Sequence, residues 1–346
     1  GSNLSSRTTQ QFSHPNNIQP EIISTMTNSS SHVLVLGDAC VDLIVQIPEQ
    51  SGNAREQKQP ELHGGGTGAN TAVGLARLGI ATGLMGAIGH DGYGSFTRNT
   101  LIEAGVDTTH LHAIDDVFTT ITLALIDPHG ERTLYGWPRR GAAHNYFDQT
   151  HLDASAILAA DWVHTTGLCL VEPPARDAIL AGLEVARSAG IPTSMDLNLR
   201  LGFESGALPN PFRRVIEQAM TLCDFVFGSA MDEFSYLAPA AMSAPEIAQH
   251  LAADRLTVVA RLAEQGALLA QPGQAVFHAP AFAVPNVVDT LGAGDTFNAG
   301  FIAACVEGHS PPVAMQWGNA AAALKVQKRG ARNTPSRAEL NELLAG

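Results

Sequence analysis

The sequence predicts an α/β sandwich on a mostly parallel central sheet, and three observations carry that prediction. Strand and helix signals alternate from Val33 to the C-terminus, the pattern of helices laid over a parallel sheet. The strand candidates are short continuous apolar runs, as strands covered on both faces require. Two glycine clusters, Gly64–Gly68 and Gly292–Gly294, each open a helix of small residues, the place where such a sheet presents its strand ends to a ligand.

Composition narrows the function. A formal net charge of −13 over 346 residues argues against nucleic acid or an anionic membrane as the main partner. Hydrophobic residues make up 45%, an ordinary globular share, and no apolar run is long enough to span a bilayer. Cys40, Cys169, Cys223 and Cys305 are scattered without a C-x-x-C pair. They read as reduced thiols of a cytoplasmic protein, not a disulfide frame or zinc site. Residues 1–31 are polar and lack the basic start and apolar middle of a secretory signal. They are expected to be a disordered leader before one domain over 32–346.

Val33-Leu34-Val35-Leu36-Gly37 is the first buried strand. Asp38 and Asp42 follow, with Cys40 between them. Two readings stand: turn and cap chemistry at a strand end, or acceptors for ligand hydroxyls at the carboxyl edge of the sheet. Leu43 to Ile47 alternates apolar and polar, and a polar stretch runs on to Leu62. His63-Gly64-Gly65-Gly66-Thr67-Gly68-Ala69-Asn70 then leads into a helix from Thr71, closed by Gly79. Its glycine spacing does not match G-x-G-x-x-G, and no acidic partner is placed downstream, which argues against an NAD-dependent oxidoreductase. Thr82 to Gly89 is a strand. Phe96 to Ala104 is a helix capped by Gly105. Thr119–Asp127 and Glu131–Trp137 alternate around Pro128-His129-Gly130, a hairpin turn. Arg139 and Arg140 follow, as a solvated pair or as a clamp for a carboxylate or phosphate.

Ile157 to Gly167 reads as a strand entering a loop, with Trp162 and His164 in the core or at its rim. Ala175–Ala189 is an amphipathic helix ending at Gly190, and Ile191–Met195 is the next strand. Phe212–Thr221 is helical, Phe225–Phe227 is a short strand, and Leu256 opens another. Val284 to Val287 is an extended segment running inward, and Phe297–Val306 is a buried helix. Asn319–Val326 is an alanine-rich helix suited to close packing.

Val288-Asp289-Thr290-Leu291-Gly292-Ala293-Gly294-Asp295 joins that extended segment to the buried helix. Gly292-Ala293-Gly294 can aim successive N–H groups at one point, where the helix dipole adds positive potential. That is a place for phosphate. A carboxylate in an anion cradle repels phosphate, so Asp295 has either a capping role or a chemical one. The chemical role is to take a proton from a hydroxyl while the turn holds the charge on a transferred phosphoryl group.

Asp-Thr-x-Gly-Ala-Gly-Asp-Thr-Phe at Asp289–Phe297, with Gly-Gly-x-x-x-Asn at Gly65–Asn70, resembles the ribokinase family of carbohydrate kinases, the PfkB-type sugar kinases, from about Val33 onward. The resemblance implies a ribokinase-like three-layer sandwich with a mostly parallel central sheet and a small β lid. Lid segments at about 43–63 and 117–140 would exclude water that competes for the phosphoryl group. Their edges suggest a homodimer. The resemblance makes Asp295 the catalytic base and Gly292, Ala293 and Gly294 the anion hole. It places Asp42, Gly65, Gly66 and Asn70 on the sugar. Asp196-Leu197-Asn198-Leu199-Arg200 resembles the branch with fructokinases and 2-keto-3-deoxygluconate kinases. There Arg200 would meet a substrate carboxylate, with a salt bridge to Asp196 as the competing role; together with Arg139 it tilts the expectation toward an acid sugar such as 2-keto-3-deoxygluconate. The family's Asn-x-x-Glu, which orders phosphates and the Mg²⁺ water shell, falls on Ser229 and Asp232. Arg261, Gly266 and Asn319 are the remaining nucleotide-side residues, and Ala263 stands where relatives have glycine. In relatives needing K⁺, the positions of Asp289, Leu291 and Thr334 bind it. The expectation is an ATP- and Mg²⁺-dependent kinase for a sugar of the 2-keto-3-deoxygluconate, fructose or ribose type. A nucleoside kinase and a catalytically weak ligand-binding relative are the alternatives.

Overall fold

The computed structural model describes residues 32–47, 59–127, 132–138, 141–199 and 208–346. The expected leader, Arg139, Arg140 and Arg200 lie outside the described residues, as do parts of both lid segments. In chain order the elements are β1 (His32–Leu36), β2 (Cys40–Gln46), β3 (Glu61–Gly65), α1 (Thr67–Arg77), β4 (Ala81–Gly89), α2 (Gly92–Glu103), β5 (Leu111–Ile114), β6 (Ile121–Ile126), β7 (Arg132–Trp137), α3 (Ala154–Leu158), β8 (Trp162–Thr166), α4 (Ala175–Ser188), β9 (Thr193–Asp196), α5 (Asn210–Leu222), β10 (Phe225–Ser229), α6 (Ala244–Leu251), β11 (Thr257–Arg261), β12 (Ala267–Ala270), β13 (Phe277–Ala279), α7 (Ala293–Val306), α8 (Pro311–Lys325) and α9 (Arg337–Ala345).

Among the described residues the main sheet has the order β13-β12-β11-β10-β9-β8-β1-β4-β5. Neighbours are parallel from β11 to β5, and β12 and β13 add an antiparallel edge. Successive strand residues point to opposite faces, so continuous apolar strands build two cores. Leu34, Leu36, Val226 and Val258 pack with α4, α5 and α6. Val33, Val35, Phe227 and Val259 pack with α1, α7 and α8. This is the expected three-layer sandwich.

The second sheet has the order β3-β2-β6-β7. It stands where the lid was expected and contains one parallel pair, β2 with β6. Cys40, Asp42 and Ile44 of β2 share a face with Thr122, Ala124 and Ile126 of β6. The opposite face carries Leu43, Leu62, Leu123, Tyr135 and Trp137.

Three local expectations are corrected. The first helix begins at Thr67, not Thr71. The Asp38 carboxylate accepts from Thr67 N (3.1 Å) and Gly68 N (3.0 Å), a cap that Gly66 cannot supply. Ile157 belongs to α3, which Asp153 caps ahead of β8. The segment Val284–Val287 is irregular and does not run inward: Val287 and Val288 are 56% and 49% exposed. Its course is set instead by the end of α8, where Val288 N and Asp289 N both donate to the Val326 carbonyl (2.7 and 3.0 Å).

Candidate active site

The site forms where β1, β9, β10 and β11 end and α7 begins. Gly292, the N-cap of α7, is left-handed at φ 78°, and a Cβ there would stand 2.6 Å from the Ala331 carbonyl oxygen. Both facts require glycine. The first-turn N–H groups of a helix have no intrahelical acceptor. Here the Ala293 N–H closes the turn onto the Thr290 carbonyl (3.1 Å), so the expected cradle rests on its neighbours.

Asp295 is buried in the first turn of α7 and does not face bulk solvent. Its Oδ2 accepts from Asn70 Nδ2 at 2.8 Å. Asn70 Oδ1 in turn accepts from Arg332 Nε at 3.3 Å. The same guanidinium donates to Gly65 O (2.6 Å) and Thr100 Oγ1 (3.0 Å). Arg332 therefore fixes the amide that meets the candidate base. Burial pulls its pKa down to about 10, against the opposing influence of Cys40, Asp42 and Asp38.

Two cavities meet here, and Leu291 lines both. The lid-side cavity is lined by Asp38, Asp42, Asn70, Thr122, His144 and apolar lid residues including Ile44. Burial lowers the His144 pKa, though Asp38 and Glu172 oppose it. Burial and the charges of Asp42 and Asp38 raise the Cys40 thiol well above its ordinary value. Gly66 lines this cavity. Gly65 has another use: a Cβ there would lie 2.5 Å from Asp42 Oδ1, so its bare backbone makes room for that carboxylate.

The second cavity lies over the ends of β9, β10 and β11. It is lined by Asp196, Ser229, Asp232, Glu233, Arg261 and the turn from Thr290 to Asp295. Arg261 holds Asp196 bidentately (2.8 and 3.2 Å) and donates to Asn298 Oδ1 (2.8 Å). Asn298 Nδ2 returns to Asp196 Oδ2 at 2.8 Å. Burial works against the Arg261 charge, but Asp196, Glu233 and Asp295 outweigh it and raise its pKa. The cationic partner of Asp196 among the described residues is thus Arg261. Glu233, not Asp232, turns inward: it accepts from Leu199 N (2.8 Å) and Ser229 N (2.6 Å) and lies 3.6 Å from Arg261. Burial and the charge of Asp196 raise its pKa. Asp232 stays at the exposed rim, bonded to Ser229 Oγ at 2.9 Å.

Gly266 and Asn319 come together elsewhere. Gly266 has φ 94°, and a Cβ on it would collide with the Ala279 carbonyl. Asn319 Nδ2 donates to Ala279 O (3.0 Å) and Pro280 O (3.1 Å). They shape the segment after β13 and line neither of the two cavities. Of the expected K⁺ set, Asp289 and Thr334 are buried, but the ammonium of Lys325 donates to the Asp289 carbonyl at 2.9 Å.

Sequence reasoning missed Arg332, Asn298, Asp196 as the Arg261 partner, His144 and Lys325. Asn298 had a readable signal: it lies three residues beyond Asp295, on the same helix face. A lysine in an alanine-rich packing helix was another. Arg332 and His144 gave none, because only the fold brings them to this edge.

Residues 30–338 match the family model "pfkB family carbohydrate kinase". A fructokinase of Klebsiella pneumoniae is 34% identical over 78% of this chain and 83% of its own length. A 5-dehydro-2-deoxygluconokinase of Shouchella clausii is 27% identical over 90% of this chain and 95% of its own. The crystal structure of aminoimidazole riboside kinase from Salmonella enterica, complexed with aminoimidazole riboside and an ATP analog, superposes with a TM-score of 0.74 at 29% identity, covering 91% of this chain and 100% of that one.

Proposed function

This chain belongs to the pfkB family of carbohydrate kinases and is a phosphotransferase acting on a sugar hydroxyl; from that premise we propose that it moves the γ-phosphate of ATP to a small carbohydrate in the lid-side cavity, with Asp295 as the base. The observation that carries the proposal is the place of Asp295, buried beside Asn70 where the two cavities meet. Its carboxylate takes the hydroxyl proton, the alkoxide oxygen bonds to the γ-phosphorus, and the bond to the β–γ bridging oxygen breaks to release ADP. The α7 dipole and first-turn N–H groups stabilise the transferred charge. Among the described residues no cluster of His, Cys, Asp and Glu is arranged to hold a bare metal. Mg²⁺ would therefore come with the nucleotide, neutralise phosphate charge and share waters with Asp232.

The lining favours a neutral polyol. Asp38 and Asp42 are hydrogen-bond acceptors on its polar side, and among the described lining residues there is no Lys or Arg. A fructose- or ribose-type sugar fits that chemistry, whereas an acid sugar would depend on Arg139 or Arg200. Four free cysteines, three of them buried, fit a cytoplasmic protein. The apolar outer face of the lid, with Tyr135 48% and Trp137 64% exposed, fits pairing with a second copy.

The test is a panel of sugars, acid sugars and nucleosides with ADP release as readout, beside an Asp295→Asn variant. The variant should bind sugar and ATP with unchanged Kd and lose turnover by about 10³-fold. Turnover equal to wild type would rule out Asp295 as the base.

A further inference from the structure

Lys325 ends α8 with its side chain fully buried. A lysine is rarely buried without compensation, and here main-chain carbonyls supply it. Its Nζ donates to Asp289 O (2.9 Å) and Lys328 O (3.2 Å). The α8 carboxyl terminus adds favourable negative potential. Asp289 begins the segment that leads three residues later to Gly292. Its Oδ1 accepts from Leu291 N (3.0 Å) and its Oδ2 from Gly330 N (2.8 Å). The ammonium therefore holds together 289–292, which forms the anion turn, and 328–331, against which Gly292 packs.

This arrangement does not fit a K⁺ ion on Asp289, Leu291 and Thr334. The Asp289 carbonyl already receives a cation, and both its carboxylate oxygens already receive N–H groups. The Thr334 hydroxyl is buried with no hydrogen-bond partner among the described residues. Of the expected set this leaves the Leu291 carbonyl and the Thr334 hydroxyl, two neutral oxygens, while the ammonium already holds the Asp289 carbonyl. We propose that Lys325 is a built-in monovalent cation that positions the anion turn, so that phosphoryl transfer does not require K⁺. The catalytic part rests on the kinase reading above; the structural part does not.

The experiment compares KCl with tetramethylammonium chloride at equal ionic strength, for wild type and Lys325→Met, by initial rate and by melting temperature. Wild type should change rate by less than about twofold and melt at the same temperature in both salts. Lys325→Met should lose at least roughly tenfold in kcat without K⁺. It should recover part of that loss in KCl and melt higher there, a rescue that a merely structural lysine would not give. Activation of wild type by K⁺ of tenfold or more, or a wild type that melts higher in KCl, overturns the proposal. So does a folded variant with full activity and no response to the ion. If the variant does not fold, the wild-type comparison decides. If no sugar is phosphorylated, the kinase reading fails and the melting temperatures still decide on the cation.

Discussion

Asn70 and Asp295 are 225 positions apart in the chain and share a 2.8 Å hydrogen bond. One lies in the first turn of α1 and the other in the first turn of α7. Both helices start at the carboxyl edge of the main sheet and pack on its same face. The bond joins the lid-side cavity to the strand-end cavity at the point where a hydroxyl would meet a phosphate.

That bond gives a direct prediction. Asn70→Ala removes the amide donor from Asp295, the proposed base, and leaves Arg332 Nε without the amide oxygen. The variant should fold and lose about 10- to 100-fold in kcat/KM, since a one-ångström misplacement has effects of that size. Asn70→Asp should lose more near neutral pH, because a second carboxylate repels the charge on the base. Steady-state kinetics on both variants check this; an Asn70→Ala enzyme as active as wild type would remove the bond from the mechanism.

The second prediction concerns acid stability. His164 is fully buried on β8; its Nδ1 meets Ser194 Oγ at 2.8 Å and its Nε2 has no partner among the described residues. Burial lowers its pKa from 6.5 to about 4, with Asp196 opposing. The unfolded chain therefore binds a proton between these values that the folded chain refuses. Stability is intact above pH 6.5 and falls as pH drops toward 4, by at most about 3 kcal/mol from this group. Urea midpoints at pH 7.5 and pH 5 should differ less for His164→Leu than for wild type. An unchanged difference would place the acid sensitivity elsewhere.

The third concerns assembly. Tyr135 and Trp137 lie on one face of β7, opposite Leu123 and Ile121 of β6, and both are exposed. A Trp137→Glu/Tyr135→Glu double variant should convert a dimer to a monomer in light scattering. Neighbouring exposed aromatic side chains on one sheet face fit the proposed interface. A monomeric wild type at the same concentration would end the proposal.

The turn from Gly292 to Asp295 could be read from sequence because its chemistry is local: a left-handed glycine, a helix start and an acid within one turn. The glycine run ahead of Asn70 could be read as the start of a helix for the same reason, but only the fold shows that Gly65 accommodates Asp42 and that Asn70 meets Asp295. The strands were legible because apolar runs signal two-sided burial. Asp38 showed the limit, because its capping target lies 29 residues away at Thr67, beyond any periodicity. The paired carboxylate and arginine at Asp196 and Arg261 also escaped, since parallel pairing through β10 brings them to one edge.

By itself the sequence determined the layered fold, and it located the glycine turn and the acid proposed for it, because each depends on neighbours within a few residues. Tertiary structure alone decided which side chains support that acid. Arg332 reaches Asn70 across 262 positions, and Lys325 reaches Asp289 across 36. Buried charges must find their partners wherever the packed chain supplies them, and that choice is made only when distant helices and strand ends meet.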